Sequence, residues 1–131
     1  MGLKFNSRDP VYVQVVQHFK ERIAKGELEP GGEVPSRREL ANKLKINPNT
    51  AQRAYREMEE EGLIFTEGNL PSRVTKDEQI LRALREELIM EATSAFITSM
   101  RSIKVPLDEM LENVKENYEK TSNNEGKGEN D

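Results

Sequence analysis

Residues 35–62, PSRRELANKLKINPNTAQRAYREMEEEG, decide how this chain is read, because two helix starts stand there only a short turn apart. Pro35 keeps the backbone extended. Ser36 with Glu39 then forms the S-x-x-E pattern in which the hydroxyl accepts the Glu39 amide and the carboxylate reaches back to the Ser36 amide. Leu40, Ala41 and Leu44 follow on one side at helical spacing, leaving Arg37, Arg38 and Lys45 on the other. Ile46 is the apolar residue of the turn. Asn47 is suited to cap a second helix and Pro48 to open it, since the first helical position has no use for an amide hydrogen. Ala51, Ala54, Tyr55 and Met58 then recur at the helical period and are expected to pack inward, which puts Asn49, Gln52, Arg53 and Arg56 on the opposite face.

That outer face has the chemistry of a reader of nucleic acid. Amides and guanidinium groups pair with adenine and guanine edges in the major groove of DNA, while the Thr50 hydroxyl and nearby amides can hold phosphate. Residues 35–56 carry six Lys or Arg against one acid, a balance of +5 inside a chain of net charge −4. A local excess of this kind attracts phosphate whatever the overall sign. A merely solvated cationic face would explain any one of these features. Their coincidence on two adjacent helices predicts a helix-turn-helix whose second helix reads DNA.

Composition sets the surroundings. The chain has 131 residues, 34% of them charged and 34% hydrophobic, with no tryptophan. That suffices for one small domain and an appendage, and so modest a core is expected to be shared between elements or subunits. No apolar run approaches a membrane span, and the first residues lack the apolar centre of a signal peptide, so a cytoplasmic protein is expected. The lack of cysteine excludes disulfides and thiolate chemistry, and a single histidine, His18, cannot build a multi-histidine metal site in one subunit. His18 is expected near the surface of the first helix, in a structural role. No metal and no cofactor are expected. No spacing suggests a nucleophile with its base, and no glycine loop is suited to cradle phosphate, so no catalytic residue is assigned and the chain is not expected to be an enzyme.

Working outward, Tyr12, Val15, Val16, Phe19 and Ile23 repeat at helical intervals after Asp9-Pro10, predicting an amphipathic first helix that ends at Gly26. Residues 28–32 then read as a turn that delivers the chain to Val34 and Pro35. Beyond Gly62, residues 63–66 and 72–75 read as two strands around a turn at 67–71, a wing whose Gly68, Asn69 and Arg73 are candidate contacts to phosphate or a minor groove. From residue 77 onward seven bases oppose thirteen acids, a balance of −6, whereas residues 1–76 balance at +2. Leu81, Leu84, Leu88, Ala92, Ala95, Phe96 and Met100 form an apolar stripe along a long helix, which Ile80, Ile89 and Ile97 broaden. The shorter helix carrying Leu107, Met110, Leu111, Val114 and Tyr118 cannot cover it alone, so a second subunit is expected there. The expected organisation is therefore a DNA-binding domain at 1–76, a helical dimerisation region at 77–120 and a disordered acidic tail at 121–131, where no apolar residue occurs.

The chain also resembles a known family, the bacterial GntR-type transcription regulators, and by its brief C-terminal part their small YtrA-like branch. The resemblance rests on PVYVQ at 10–14, GELEPG at 26–31, PSRRELA at 35–41, NPNT at 47–50 and EGLI at 61–64, in the family's order and spacing. It implies a mainly α fold with a small β-hairpin: an N-terminal winged helix-turn-helix followed by a short α-helical dimerisation region. It further implies a homodimer that binds a palindromic double-stranded DNA operator; a repressor is the leading expectation, with activation left open. By position, Arg38 matches a DNA-contacting arginine, and Asn47, Asn49, Thr50 and Gln52 match contact positions around the start of the recognition helix. Ser36, Arg37, Arg53 and Arg56 adjoin them. The wing departs from the family's commoner glycine-rich, basic tip, having Glu67, Leu70 and Pro71 there. Most relatives carry a larger effector domain for which this chain is too short, so an unidentified small-molecule effector is left open. The alternative from another class is a winged-helix module for protein interaction or assembly that does not read DNA.

Overall fold

Helix α1, Val11–Lys25, is built by the period seen in the sequence: Val15, Val16, Phe19 and Ile23 are buried along one face. It ends at Gly26, whose φ of 86° is left-handed, and the next two amides fold back onto the Arg22 carbonyl. The computed structural model describes residues 3–128, and of 123–128 the backbone alone. Helix α2 is Arg37–Leu44 and helix α3 is Pro48–Glu60. Between them Lys45 turns the chain at φ 55°, and the Ile46 amide bonds back to the Ala41 carbonyl. Ser36 Oγ accepts the Glu39 amide at 3.1 Å, the first of the two expected cap bonds; the returning bond does not form among the described residues. Asn47 Oδ1 accepts the Asn49 amide at 2.8 Å, and Pro48 opens α3 as expected.

Ala51, Ala54, Tyr55 and Met58 of α3 are fully buried against α1 and α2, and the Tyr55 ring meets Phe19 edge to face, centroids 5.9 Å apart. The Tyr55 hydroxyl donates to the Pro35 carbonyl, tying the middle of α3 to the residue just before the Ser36 cap of α2. Burial pushes the Tyr55 phenol pKa well above its ordinary value, so it remains a donor. Gly62 follows at φ 77°, and a Cβ there would stand 3.0 Å from Ile80 Cδ1, so both backbone and packing favour glycine.

Strands β1, Ile64–Phe65, and β2, Arg73–Val74, pair antiparallel with Ile64 opposite Val74. The hairpin expected from sequence is present but shorter. Beyond the turn expected at 28–32 the sequence predicts no strand, yet residues 31–34 run along the free edge of β2: the Gly31 amide bonds to the Val74 carbonyl, the Val34 amide to the Ser72 carbonyl, and Glu33 bridges Arg73.

Helix α4, Glu78–Ser102, and helix α5, Leu107–Gly128, complete the order. The chain divides into two compact units, Met1–Leu88 and Ile89–Asp131, with the division inside α4. The reason is packing. Leu84 is buried in the core of the first unit, with Ile80, Leu81 and Leu88 partly buried against it. Lys20, itself buried, bridges Glu61 at 3.4 Å and Glu87 at 3.1 Å in the same unit. Burial alone would lower the Lys20 pKa, but Glu87 and Glu61 outweigh it and hold it above the ordinary value. In the second unit, Met110 is buried, whereas Phe96, Ile97, Ile103, Leu107, Leu111 and Val114 are exposed. The backbone of α5 is helical through Gly128, into the stretch expected to be a disordered tail; residues 129–131 of that tail lie outside the described residues.

Candidate nucleic-acid interface

The buried residues of α3 fix which side chains it presents. With Ala51, Ala54, Tyr55 and Met58 inward, Asn49, Gln52, Arg53 and Arg56 are all exposed, and Thr50 is half-exposed beside them. Arg38 is exposed on the first turn of α2. None of these needs to leave a core to be reached, and they offer amide, hydroxyl and guanidinium groups. Ser36 and Asn47 are exposed as well, but each side chain caps a helix, so a contact to phosphate by either would be shared with that cap.

Three of the sequence-derived candidates are already engaged within the chain. Arg37 pairs with Glu59 and lies over the Tyr55 ring at 5.1 Å, with its Nε buried and unpartnered, which ties α2 to α3. Arg73 donates to the Gly31 carbonyl at 2.9 Å and to the Glu33 carboxylate at 3.0 Å, so its guanidinium fastens residues 31–33 to the hairpin. Arg53 lies over the ring of Tyr12, with its guanidinium carbon 3.9 Å from the centroid, and donates to the Tyr12 hydroxyl at 3.1 Å. Arg53 remains exposed nonetheless. Tyr12 is the residue that sequence reasoning missed, since its helical spacing marked it as core alone.

The wing tip is exposed at Gly68 and Asn69, and Gly68 has φ 55°. Leu70 beside them is 60% exposed, an unusual residue to offer to solvent at a turn. A cleft of about 670 Å³ brings Ser36, Arg37 and Arg38 together with Asn69 and Leu70, so the start of α2 and the wing border one surface hollow. The stripe residues fall in two groups. Leu81, Leu84 and Leu88 pack on the core of the first unit, while Ala92, Ala95 and Phe96 are exposed and Met100 half-exposed in the second. His18 is half-buried with Nε2 unpartnered; burial, with the charge of Arg22, lowers its pKa. No described helix is long and apolar enough to cross a membrane.

Residues 11–74 match the family described as bacterial regulatory proteins, gntR family. Over 115 residues the chain is 35% identical to YhcF of Bacillus subtilis, an uncharacterized helix-turn-helix-type transcriptional regulator, covering 88% of this chain and 95% of YhcF. It is 48% identical over 60 residues to YtrA of the same organism, a transcriptional repressor, the match covering 46% of each. Among solved structures, a GntR family transcriptional regulator from Listeria monocytogenes superposes with a TM-score of 0.80 at 33% identity, covering 86% of this chain and 98% of that one. The chain belongs to the gntR family of bacterial regulatory proteins, whose members are transcription regulators and not enzymes.

Proposed function

We propose that this protein is a homodimeric repressor that reads a palindromic DNA operator with α3. The observation that carries this reading is the outer face of α3: Asn49, Gln52, Arg53 and Arg56 exposed together, on a helix whose other face is fully buried. A helix held that firmly can enter a major groove without reorganising, and its amide and guanidinium ends match adenine and guanine edges. Arg38 supplies a contact from α2, and Thr50 and the exposed amides at Gly68 and Asn69 are suited to phosphate.

The second unit supports pairing. Phe96, Ile97, Leu107, Met110, Leu111 and Val114 line an apolar hollow of about 400 Å³, and Met110 is the buried member among them. Exposed apolar side chains grouped in this way favour a covering partner, and a second copy provides the same surface by two-fold symmetry. Two recognition helices would then address inverted half-sites about one helical turn apart. Repression fits the role of YtrA, a transcriptional repressor to which this chain is similar over 60 residues.

The test is a salt titration of the full chain on genomic fragments that it retains and on random DNA. Binding should fall steeply with salt on both, with a preference for fragments holding inverted repeats. Absence of binding at low salt would favour a winged-helix module that assembles proteins without reading DNA.

A further inference from the structure

The contact between Arg53 and Tyr12 joins residues 41 positions apart and is made at the surface, where an arginine would ordinarily sample many rotamers. Tyr12 is a fixed platform. It is partly buried against the core, and two residues further on the Gln14 side chain binds the Asn6 amide and carbonyl and the Asp9 carbonyl, pinning the chain that leads into α1. The guanidinium lies over the face of the ring, and one terminal nitrogen donates to the hydroxyl. That uses the flat side of the fork and one donor, leaving its other in-plane donors free. Around the pair, Pro10, Asn49 and Thr50 line a hollow of about 500 Å³, so the held guanidinium borders the first turn of α3.

We propose that Tyr12 is a positioning residue for base reading: it holds the Arg53 guanidinium in one pose on α3, so that the fork meets a guanine edge in set geometry. This rests on the DNA-reading role given to α3 above. Arginine binds guanine through two parallel bonds and therefore depends on orientation as well as charge. Fixing the fork before encounter removes an ordering cost that would otherwise be met on binding. Tyr12 thus makes the N-terminus of α1 part of the specificity of the domain without itself touching a base.

The experiment uses the full chain and a fragment selected by the wild-type protein, together with single-base variants of it. Tyr12→Leu keeps apolar bulk but removes the stacking and the bond. Affinity for the selected fragment should drop by about three- to tenfold, the scale of ordering one long side chain, and discrimination should flatten at one guanine-containing base pair. The same change made in an Arg53→Ala background should have no further effect. Tyr12→Phe, which removes a single oxygen, should fall between wild type and Tyr12→Leu, and Arg53→Lys should lose the discrimination while retaining charge. Urea midpoints identify any variant that is simply unfolded, in which case Tyr12→Phe and Arg53→Lys decide. Equal loss across all base variants, an undiminished Tyr12→Leu effect without Arg53, or wild-type behaviour of Tyr12→Leu would each overturn the proposal. If the wild type selects no DNA, the reading of α3 fails and this inference with it; if the wild type selects DNA and Tyr12→Leu is unchanged, this inference alone fails.

Discussion

The two units of the chain treat their apolar side chains in opposite ways. In Met1–Leu88 they are turned into the unit's own core, with Phe19, Leu40, Tyr55, Met58, Ile64 and Val74 at most 2% exposed. In Ile89–Asp131 they are left on the outside: Met90 is 66% exposed, Leu111 62% and Tyr118 75%. The first unit can therefore be polar where it faces outward, as it is on α3 at Asn49, Gln52, Arg53 and Arg56. Among the described residues of the second, Met110 is the buried apolar side chain, and the others named stay on its surface. A unit that closes on itself is suited to present a recognition face, and a unit that does not is suited to recruit a copy of itself.

The largest expected effect removes the closed core. Tyr55→Ala deletes a fully buried ring and its bond to the Pro35 carbonyl, and should cost about 3–5 kcal/mol in urea unfolding. A loss under about 1 kcal/mol would mean that the first unit is not held as described. Next, Phe96→Asp places a charge on the exposed apolar face of the second unit. It should leave the N-terminal fold intact but weaken binding to paired half-sites by about 10²-fold, the gain that linkage ordinarily gives. Leu88→Asp makes a poorer probe, because Leu88 packs partly on the core of the first unit and its loss would mix folding with pairing.

Smaller effects lie on the recognition face. Arg38→Ala and Gln52→Ala remove exposed side chains, so each should weaken operator binding by about 1–3 kcal/mol while the melting temperature hardly moves. Unchanged affinity in both would take them out of the interface. The smallest effect concerns His18, whose pKa is lowered chiefly by burial. A histidine depressed in the folded state contributes its stability above its unfolded pKa, about 6.5, and loses it as pH falls toward the folded value. The urea midpoint should accordingly decline slightly more below pH 6.5 in the wild type than in His18→Gln; identical declines would contradict the assignment.

What could be read from the sequence was local. Ser36, Asn47 and Gly26 mark helix ends through bonds to residues a few positions away, Pro48 suits a first helical position by its missing amide hydrogen, and α3's inward set follows from its period alone. What could not be read depends on partners far along the chain. Residues 31–34 have no strand pattern, and their pairing with β2 reaches across about forty positions. Arg37, Arg53 and Arg73 were legible as surface cations, but their engagement with Glu59, Tyr12 and Glu33 was not. Likewise, the spacing of Leu81, Leu84 and Leu88 marks an apolar stripe without saying which surface covers it. Packing assigns that part to the unit's own core and leaves the stripe beyond residue 88 to the second unit.

In the proposed mechanism, two copies joined through the second unit grip DNA through α3. The most direct measurement is sedimentation equilibrium of the full chain and Phe96→Asp, run beside titrations of each onto one half-site and onto an inverted pair. A dimer at micromolar concentration that prefers the pair by about 10²-fold, with both properties lost together in Phe96→Asp, is the result the account predicts. A monomeric wild type, or a Phe96→Asp chain that is monomeric yet binds the pair as tightly as wild type, would contradict it.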